Sequence, residues 1–493
     1  MLETAATDLG WSTAAESAAA VVGGRASAVK IVEATLARIR ARDPLINAFT
    51  AVTDQRALAR AWALDRVRER GERLPALAGV PFAAKNLFDI AGLPTLAGAK
   101  INRDAPPARR DATVIERLEA GGAILVGELN MGEYAYDFTG ENPHYGAVHN
   151  PHDRERIAGG SSSGSAAAVA GGLVPFALGS DTNGSIRAPA SLCGVFGLKP
   201  TYGRLSRAGT YPFSASLDCV GPLARSARDL ALAYDAMQGY DPDDPVCAER
   251  AVEPVAPLLE RGAAGLRIAV ADGYFKCKSA ETVYAVDRVA AALGANREIS
   301  IPQAERARAA AYIITASEAA SLHLDRLRSR ARDFDPAVRD RLIAGAMLPA
   351  SLIVKAQKFR RWYQGEVLKL FAEVNAILAP TTPGTAPLIG QKTFTFDGVE
   401  LPVRPHLGVY TQPISFIGLP WSSRRCRFRR CRSACRSSRR LGARTWRCAS
   451  PTCSKPKASP RRRARRRRRR RWRSTCPRSL RRFAPNSTAT RPR

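Results

Sequence analysis

The chain has no aspartate or glutamate anywhere in residues 422–493, a stretch that carries 29 Lys and Arg. This absence localises the charge. The whole sequence holds 76 basic and 44 acidic residues for a formal net charge of +32, yet only 47 of the basic residues and all of the acidic ones fall in residues 1–421. The body is therefore nearly neutral, and nucleic-acid binding is expected only if the basic tail is a genuine part of the product. Histidine is scarce, with 5 in all, which leaves little material for a histidine-based triad or a histidine-rich metal centre. The body has four cysteines, Cys193, Cys219, Cys247 and Cys277, without paired spacing, which favours a reducing, cytoplasmic setting over a disulfide framework. The N-terminus lacks a basic region followed by an apolar stretch, so no secretory leader is expected. The longest apolar run, residues 166–178, is interrupted by Gly171, Gly172 and Pro175 and is too short to span a bilayer.

What is present is patterned for a large α/β body. Hydrophobic residues make up 45% of the chain, ample for a core. From Ser27 to Arg42 apolar residues recur at helical spacing (Val29, Val32, Leu36, Ile39) and stop at Asp43-Pro44. Alanine-rich segments 54–70 and 226–237 also read as helices, and 304–372 reads as a largely helical cap or flank. Short β-like runs at 123–126 and 266–270 each follow a helical pattern, the alternation expected of a sheet covered by helices. No internal repeat is present. Beyond Pro420 the apolar periodicity ends, and Arg461 to Arg471 is nearly pure arginine; such a segment cannot bury enough apolar surface to fold alone and is expected to be disordered.

The chemistry concentrates where small residues crowd around two serines. Gly159-Gly160-Ser161-Ser162-Ser163-Gly164-Ser165 is followed by Asp181-Thr182-Asn183-Gly184-Ser185-Ile186-Arg187, and an apolar run ending in Lys85 lies upstream. Acyl transfer needs a nucleophile beside oxyanion donors. Ser185 is the candidate nucleophile, and the backbone N–H groups of Thr182, Asn183, Gly184 and Ser185 are the candidate oxyanion donors. Ser161 would pass a proton towards Lys85, which must be neutral to receive it. Burial among Val80, Phe82 and Leu87 would favour the neutral amine by desolvation, and serine–lysine chemistry is a known variant of the triad. Ser162, Ser163 and Ser165 are expected to be loop or cap residues. Asp181 and Arg187 are expected to brace the loop, and Cys193 to be a small buried hydrophobe.

These segments, together with Cys193-Gly194 and Gly197-Leu198-Lys199-Pro200-Thr201, match in order and spacing the amidase signature family, which the chain resembles over roughly residues 25–420. The resemblance implies an α/β amidase signature fold with a central mixed sheet between helical layers. It also implies Lys85 as base, Ser161 as a bridging serine with a cis peptide, Ser185 as nucleophile, and neither metal nor organic cofactor. Within the family, Asn130-Met131-Gly132-Glu133-Tyr134-Ala135-Tyr136 and Thr411-Gln412-Pro413-Ile414-Ser415-Phe416-Ile417-Gly418-Leu419-Pro420 resemble the carboxybiuret-hydrolase type of amidohydrolase. That likeness implies a small carboxylated urea-like amide as substrate, Met131 and Tyr134 as substrate-binding residues, and a small accessory subunit. The family also contains glutamine-hydrolysing subunits of tRNA-dependent amidotransferases, an alternative function. Ser163 stands where the family often has glycine.

Rival motifs carry less. The G-x-S-x-G frame around Ser162 should follow a strand and needs a histidine partner; the glycine-rich run lacks the Gly-Lys-Ser/Thr ending of a phosphate cradle; and His144, His149 and His152 with Asp153 match no standard ligand spacing. On this reading, 1–24 is an N-terminal segment, 25–420 the amidase signature domain and 421–493 an Arg-rich tail. The tail has a second explanation. Trp421 has a single codon, TGG, and if the codons for Pro420, Ser422 and Ser423 end in G, the neighbouring frame reads Val-Val-Val-Ala at 421–424. A valine-rich run after Gly-Leu-Pro is similar to what family members show, where the resemblance implies late strands and a helix. We hypothesise a frameshift near residue 420. Resequencing that DNA checks it, and an intact frame encoding the same tail rejects it.

Overall fold

The computed structural model describes residues 11–277 and 279–418 and the backbone of Ala443–Arg444; the rest of the segment 421–493 lies outside the described residues. The helical spacing read at 27–42 forms Ala28–Arg42, opened by Ser27, whose hydroxyl accepts from the Lys30 N–H at 3.1 Å. Segments 54–70 and 226–237 form Asp54–Glu69 and Ala227–Met237. The long helical stretch is three helices, Ala304–Arg330, Pro336–Ala346 and Ala350–Leu370, separated at Asp335-Pro336 and Pro349, where proline cannot continue a helix but opens the next.

The principal sheet has six strands: β1 (Phe49–Val52), β2 (Pro81–Lys85), β3 (Ile124–Leu129), β4 (Phe176–Asp181), β5 (Phe196–Gly197) and β6 (Cys219–Ala224), in the order β1-β3-β2-β4-β6-β5. Strand β2 is parallel to both β3 and β4, whereas β1 pairs antiparallel with β3 and β6 antiparallel with β4. The sheet is mixed, with a parallel centre. Its central strands are buried throughout and read as almost unbroken apolar runs because both faces are covered. Alternate residues go to opposite sides. Phe82, Ala84, Leu125, Phe176 and Leu178 pack with the helices Thr113–Ala120 and Ala227–Met237. Ala83, Ile124, Val126 and Ala177 pack with Ala28–Arg42, Asp54–Glu69 and Ser163–Ala170. This period of two is what a pleated strand requires.

A second sheet orders β7 (Ile268–Asp272), β8 (Arg297–Ser300), β9 (Ala376–Pro380) and β10 (Ala443–Arg444) as β8-β7-β9-β10, parallel except at β10. The helices Ala304–Arg330 and Ala350–Leu370 pack on it through Ala307, Ala311, Ile314, Tyr363 and Val367. Among the described residues, no helix is long and apolar enough to cross a membrane.

Candidate active site

Strands β2, β3 and β4 run parallel, and their carboxyl ends mark where a parallel sheet usually forms its ligand crevice. Lys85 is the last residue of β2, and Ser180 and Asp181 end β4. Ser161 precedes the helix Ser163–Ala170, and the peptide bond Gly160–Ser161 is cis. That helix is held close because Gly164 has no side chain: a Cβ there would sit 2.4 Å from the Ala48 carbonyl oxygen and 2.7 Å from Asn130 N and O. Ser162 holds the N-cap position expected of such a serine, though its hydroxyl does not cap the helix, whereas Ser163 and Ser165 lie within the helix rather than in a loop or cap. Their hydroxyls bond the carbonyls of Ser180 (3.1 Å), Asn130 (3.3 Å) and Leu178 (2.8 Å), stitching the segment to strands and loop.

Lys85 is fully buried, and its Nζ lies 2.7 Å from Ser161 Oγ and 2.8 Å from Ser180 Oγ. Burial drags its amine down to about 7, against the opposing pull of Asp181 and Asp218. A large fraction is therefore neutral at physiological pH. Ser185 is buried beside this pair, and its carbonyl accepts from the Ser162 N–H at 3.2 Å. The Lys85–Ser161 link is formed, whereas no side-chain hydrogen bond joins Ser161 to Ser185 among the described residues; in unliganded sites such contacts commonly tighten only around substrate.

The loop carrying Thr182, Asn183 and Gly184 is braced from both ends. Asp181 accepts from the N–H groups of Ile186 (3.2 Å) and Arg187 (3.3 Å) and pairs with the Arg187 guanidinium at 2.9 and 3.0 Å; Arg187 also donates to Ser415 Oγ. Burial alone would raise the Asp181 carboxyl, but Arg187 outweighs it and holds the group at about 2. Both members of the pair are buried, and neither faces the cavity beside Ser185, in keeping with a bracing role. Thr182 Oγ1 donates to Asp218 at 2.6 Å, and the Asn183 carbonyl accepts from Thr411 Oγ1 at 2.7 Å. Among the described residues, nothing accepts from the amides of Asn183, Gly184 or Ser185, which leaves them available to a developing oxyanion.

Two predictions arise from this loop. Gly184 has φ +139°, and an added Cβ would meet Thr411 Oγ1 at 2.1 Å, an atom already committed to the Asn183 carbonyl. Gly184→Ala is expected to displace the amides and lower kcat by about 10²-fold or more in steady-state assays. Arg187→Met leaves Asp181 as a buried carboxylate without its counter-charge. It is expected to cost about 3–5 kcal/mol in denaturant unfolding.

Ser185 opens on a cavity of about 290 Å3, mouth included, lined among others by Tyr136, Phe138, Asn183, Phe213, Arg341 and Gln412. Met131 and Tyr134 lie behind this wall. Met131 is fully buried and its carbonyl accepts from Asn142 at 2.7 Å; the Tyr134 ring packs 4.1 Å from His323, and its hydroxyl accepts from Arg326 at 3.1 Å. The backbone turns at Tyr134 and Ala135 through positive φ, which delivers the following Tyr136 to the cavity. Ser180, Arg341 and Gln412 were not singled out as site residues from sequence. Ser180 had a signal, its place beside Asp181 in the glycine-framed segment; Arg341, within a helix of ordinary composition, had none.

The remaining candidates fall away from the crevice. His144 faces Glu133 at 2.9 Å, His149 the Arg154 carbonyl at 2.7 Å and His152 the Cys193 carbonyl at 3.0 Å. No group of three or more metal-ligating side chains occurs among the described residues. Cys193 is buried, with its thiol on the Ala158 carbonyl at 3.2 Å.

A family model described as Amidase matches residues 30–431. The chain is 56% identical over 401 residues to AtzE, a 1-carboxybiuret hydrolase subunit of Pseudomonas sp. (strain ADP), covering 81% of this chain and 88% of that protein. It is 40% identical over 439 residues to the A subunit of the glutamyl-tRNA(Gln) amidotransferase of Pseudomonas aeruginosa (strain LESB58), covering 83% and 89%. Among solved structures, one from a study in which a vestigial protein complex reveals the evolutionary origins of an s-triazine catabolic enzyme superposes with a TM-score of 0.83 at 50% identity, covering 89% of this chain and 95% of that one. A bacterial aryl acylamidase superposes with a TM-score of 0.76 at 28% identity, covering 83% and 88%.

Proposed function

This chain belongs to the amidase signature family and is an amide C–N hydrolase, and from that premise we propose that it cleaves a small carboxylated urea-like amide through a Ser185 acyl-enzyme. The observation that carries the mechanism is the buried Lys85 amine 2.7 Å from Ser161 Oγ, beside a loop whose amides are unused. Neutral Lys85 takes the Ser161 proton while Ser161 takes that of Ser185, whose Oγ bonds to the substrate carbonyl carbon. The charge that develops on the carbonyl oxygen is met by the N–H groups of Thr182, Asn183 and Gly184. The relay then runs backwards: the amine leaves with a proton delivered through Ser161, and the acyl group stays on Ser185. Water attacks the ester, its proton passes along the same path, and the carboxylic product departs with Ser185 restored.

The substrate class rests on likeness to the carboxybiuret hydrolase relative. That relative and the amidotransferase relative are both named as subunits, which supports a small accessory partner for this chain, and the unpaired cysteines of the body support a cytoplasmic location. Met131 and Tyr134 would serve substrate binding only indirectly, as buried residues that support the wall of the cavity. The test is ammonia release from a panel containing a carboxylated urea-like amide, its uncharged analogue and glutamine. The carboxylated compound is expected to give the highest kcat/KM. Glutamine hydrolysis that requires companion subunits and charged tRNA would favour the amidotransferase reading instead.

A further inference from the structure

Thr182 is a candidate oxyanion donor through its backbone, and its side chain is bound to a carboxylate at the end of another strand. Strands β4 and β6 are antiparallel with Cys219 opposite Asp181, so the next residues beyond the ladder, Asp218 and Thr182, come face to face. Thr182 Oγ1 donates to Asp218 Oδ1 at 2.6 Å, and Asp218 Oδ2 accepts from the N–H groups of Phe213 (2.8 Å) and Ser214 (2.9 Å). Phe213 lines the cavity beside Ser185. One half-buried carboxylate thus ties the oxyanion loop to the cavity wall. Two helices clamp the same wall: Glu318 accepts from the hydroxyls of Ser214 at 2.6 Å and Ser216 at 2.7 Å, and Arg360 donates to the Ser216 carbonyl at 2.9 Å.

Asp218 is also the charge near Lys85 that no cation balances. Its oxygens accept three hydrogen bonds and donate none, the bonding of an ionised carboxylate, although desolvation pushes the carboxyl above its ordinary value. Among the described residues, no cation comes within ion-pairing distance of it. The other charged groups nearby are committed. Asp181, the larger pull on Lys85, is bonded to Arg187 at 2.9 and 3.0 Å. Arg207 is bonded to Asp244 at 3.0 and 3.2 Å. Lys199 donates to the Pro200 carbonyl at 3.0 Å and to Cys219 Sγ at 3.6 Å, and burial pushes that thiol up, away from the thiolate.

A buried amine that takes up a proton becomes a cation in a poorly solvating site, and a nearby anion offsets that cost. We infer that Asp218 is a positioning residue with two tasks: through Thr182 it fixes the oxyanion loop, and by its charge it compensates the ammonium that Lys85 becomes when the relay runs. In that step the Ser185 proton moves to Ser161 Oγ as the Ser161 proton moves to Lys85 Nζ, and Asp218 stays ionised throughout. The inference deepens the proposed function and rests on it.

The test follows kcat and KM of the full chain against pH, with the amide that the wild type turns over fastest. Wild-type kcat/KM should rise through an apparent value near 7, and Lys85→Met should lack that limb. Asp218→Asn is expected to lower kcat by about tenfold or more with KM nearly unchanged. It should also move the limb down by about one pH unit, because Lys85 loses an anion that favours its charged form. Asp218→Glu keeps the charge and is expected to lower kcat while leaving the limb within about 0.3 unit of wild type. Thr182→Val cuts the tie alone and is expected to lower kcat by about tenfold. A residue that only held the fold together would cost activity or melting temperature without moving the limb. Thermal melts identify any variant that fails to fold. If Asp218→Asn is one, Asp218→Ser supplies the neutral side chain, and if neither folds, Thr182→Val decides. An unmoved limb in a folded neutral variant, or Thr182→Val at the wild-type kcat, overturns the inference and leaves the proposed function intact. If the wild type shows no limb that Lys85→Met removes, the relay through Lys85 falls and the inference falls with it.

Discussion

Ser185→Ala is expected to lower kcat by about a thousand- to a million-fold while leaving KM nearly unchanged. The residue is buried at the foot of the cavity, and the bond that ties it to its surroundings uses the backbone carbonyl, so removing the hydroxyl takes away the atom that bonds to the acyl carbon and little else. What survives would be the pull of the oxyanion amides on bound substrate, which without a nucleophile gives only a small fraction of the rate. A loss that appears in KM rather than kcat would mean that Ser185 binds substrate and another group attacks. Steady-state kinetics with the amide panel, accompanied by a melting curve for fold, decides between these outcomes.

Lys85→Met is expected to produce the second largest loss and to change two pH dependences at once. In the wild type, only the neutral amine can accept the Ser161 proton, so kcat/KM should rise with pH through an apparent value near 7, where burial places Lys85. The variant should lose about 10³-fold or more, and its residual activity should lack that limb. The variant's stability at neutral pH should move in the opposite direction to its activity. A lysine whose folded pKa is lowered from 10.5 to about 7 holds a proton in the unfolded chain but not in the folded one between those values. Stability therefore rises with pH across that window, by up to about 1.4 kcal/mol per unit. The Lys85→Met chain should lack this slope and should be the more stable of the two at neutral pH. Unfolding by urea at pH 7 and pH 9 measures the difference. Parallel wild-type and variant slopes would mean that Lys85 is charged in the folded protein and cannot serve as the base.

Much of this site was legible in the sequence because the chemistry imposes spacing and residue size together. Lys85, Ser161 and Ser185 could be named because glycine, alanine and serine crowd around two of them and an apolar strand leads to the third. The helix at 27–42 followed from periodicity, and those at 54–70 and 226–237 from alanine-rich composition. The cavity lining was less readable. Gln412 and Arg341 reach Ser185 from the distant helices Thr411–Ile417 and Pro336–Ala346, and local pattern carries no record of such long-range approach. Met131 and Tyr134 were chosen from a short segment whose chain reverses at Tyr134, so the side chain that lines the cavity is Tyr136. The second sheet was half visible: β7 showed as an apolar run, but its partners β8 and β9 lie about 30 and 100 residues further along.

The account stands or falls on where the acyl group goes. Rapid acid quench during turnover of a carboxylated urea-like amide, followed by proteolysis and mass mapping, should find the acyl mass on the peptide containing Ser185 and should find none in Ser185→Ala. An adduct on a different residue, or sustained hydrolysis by Ser185→Ala at the wild-type rate, would contradict it.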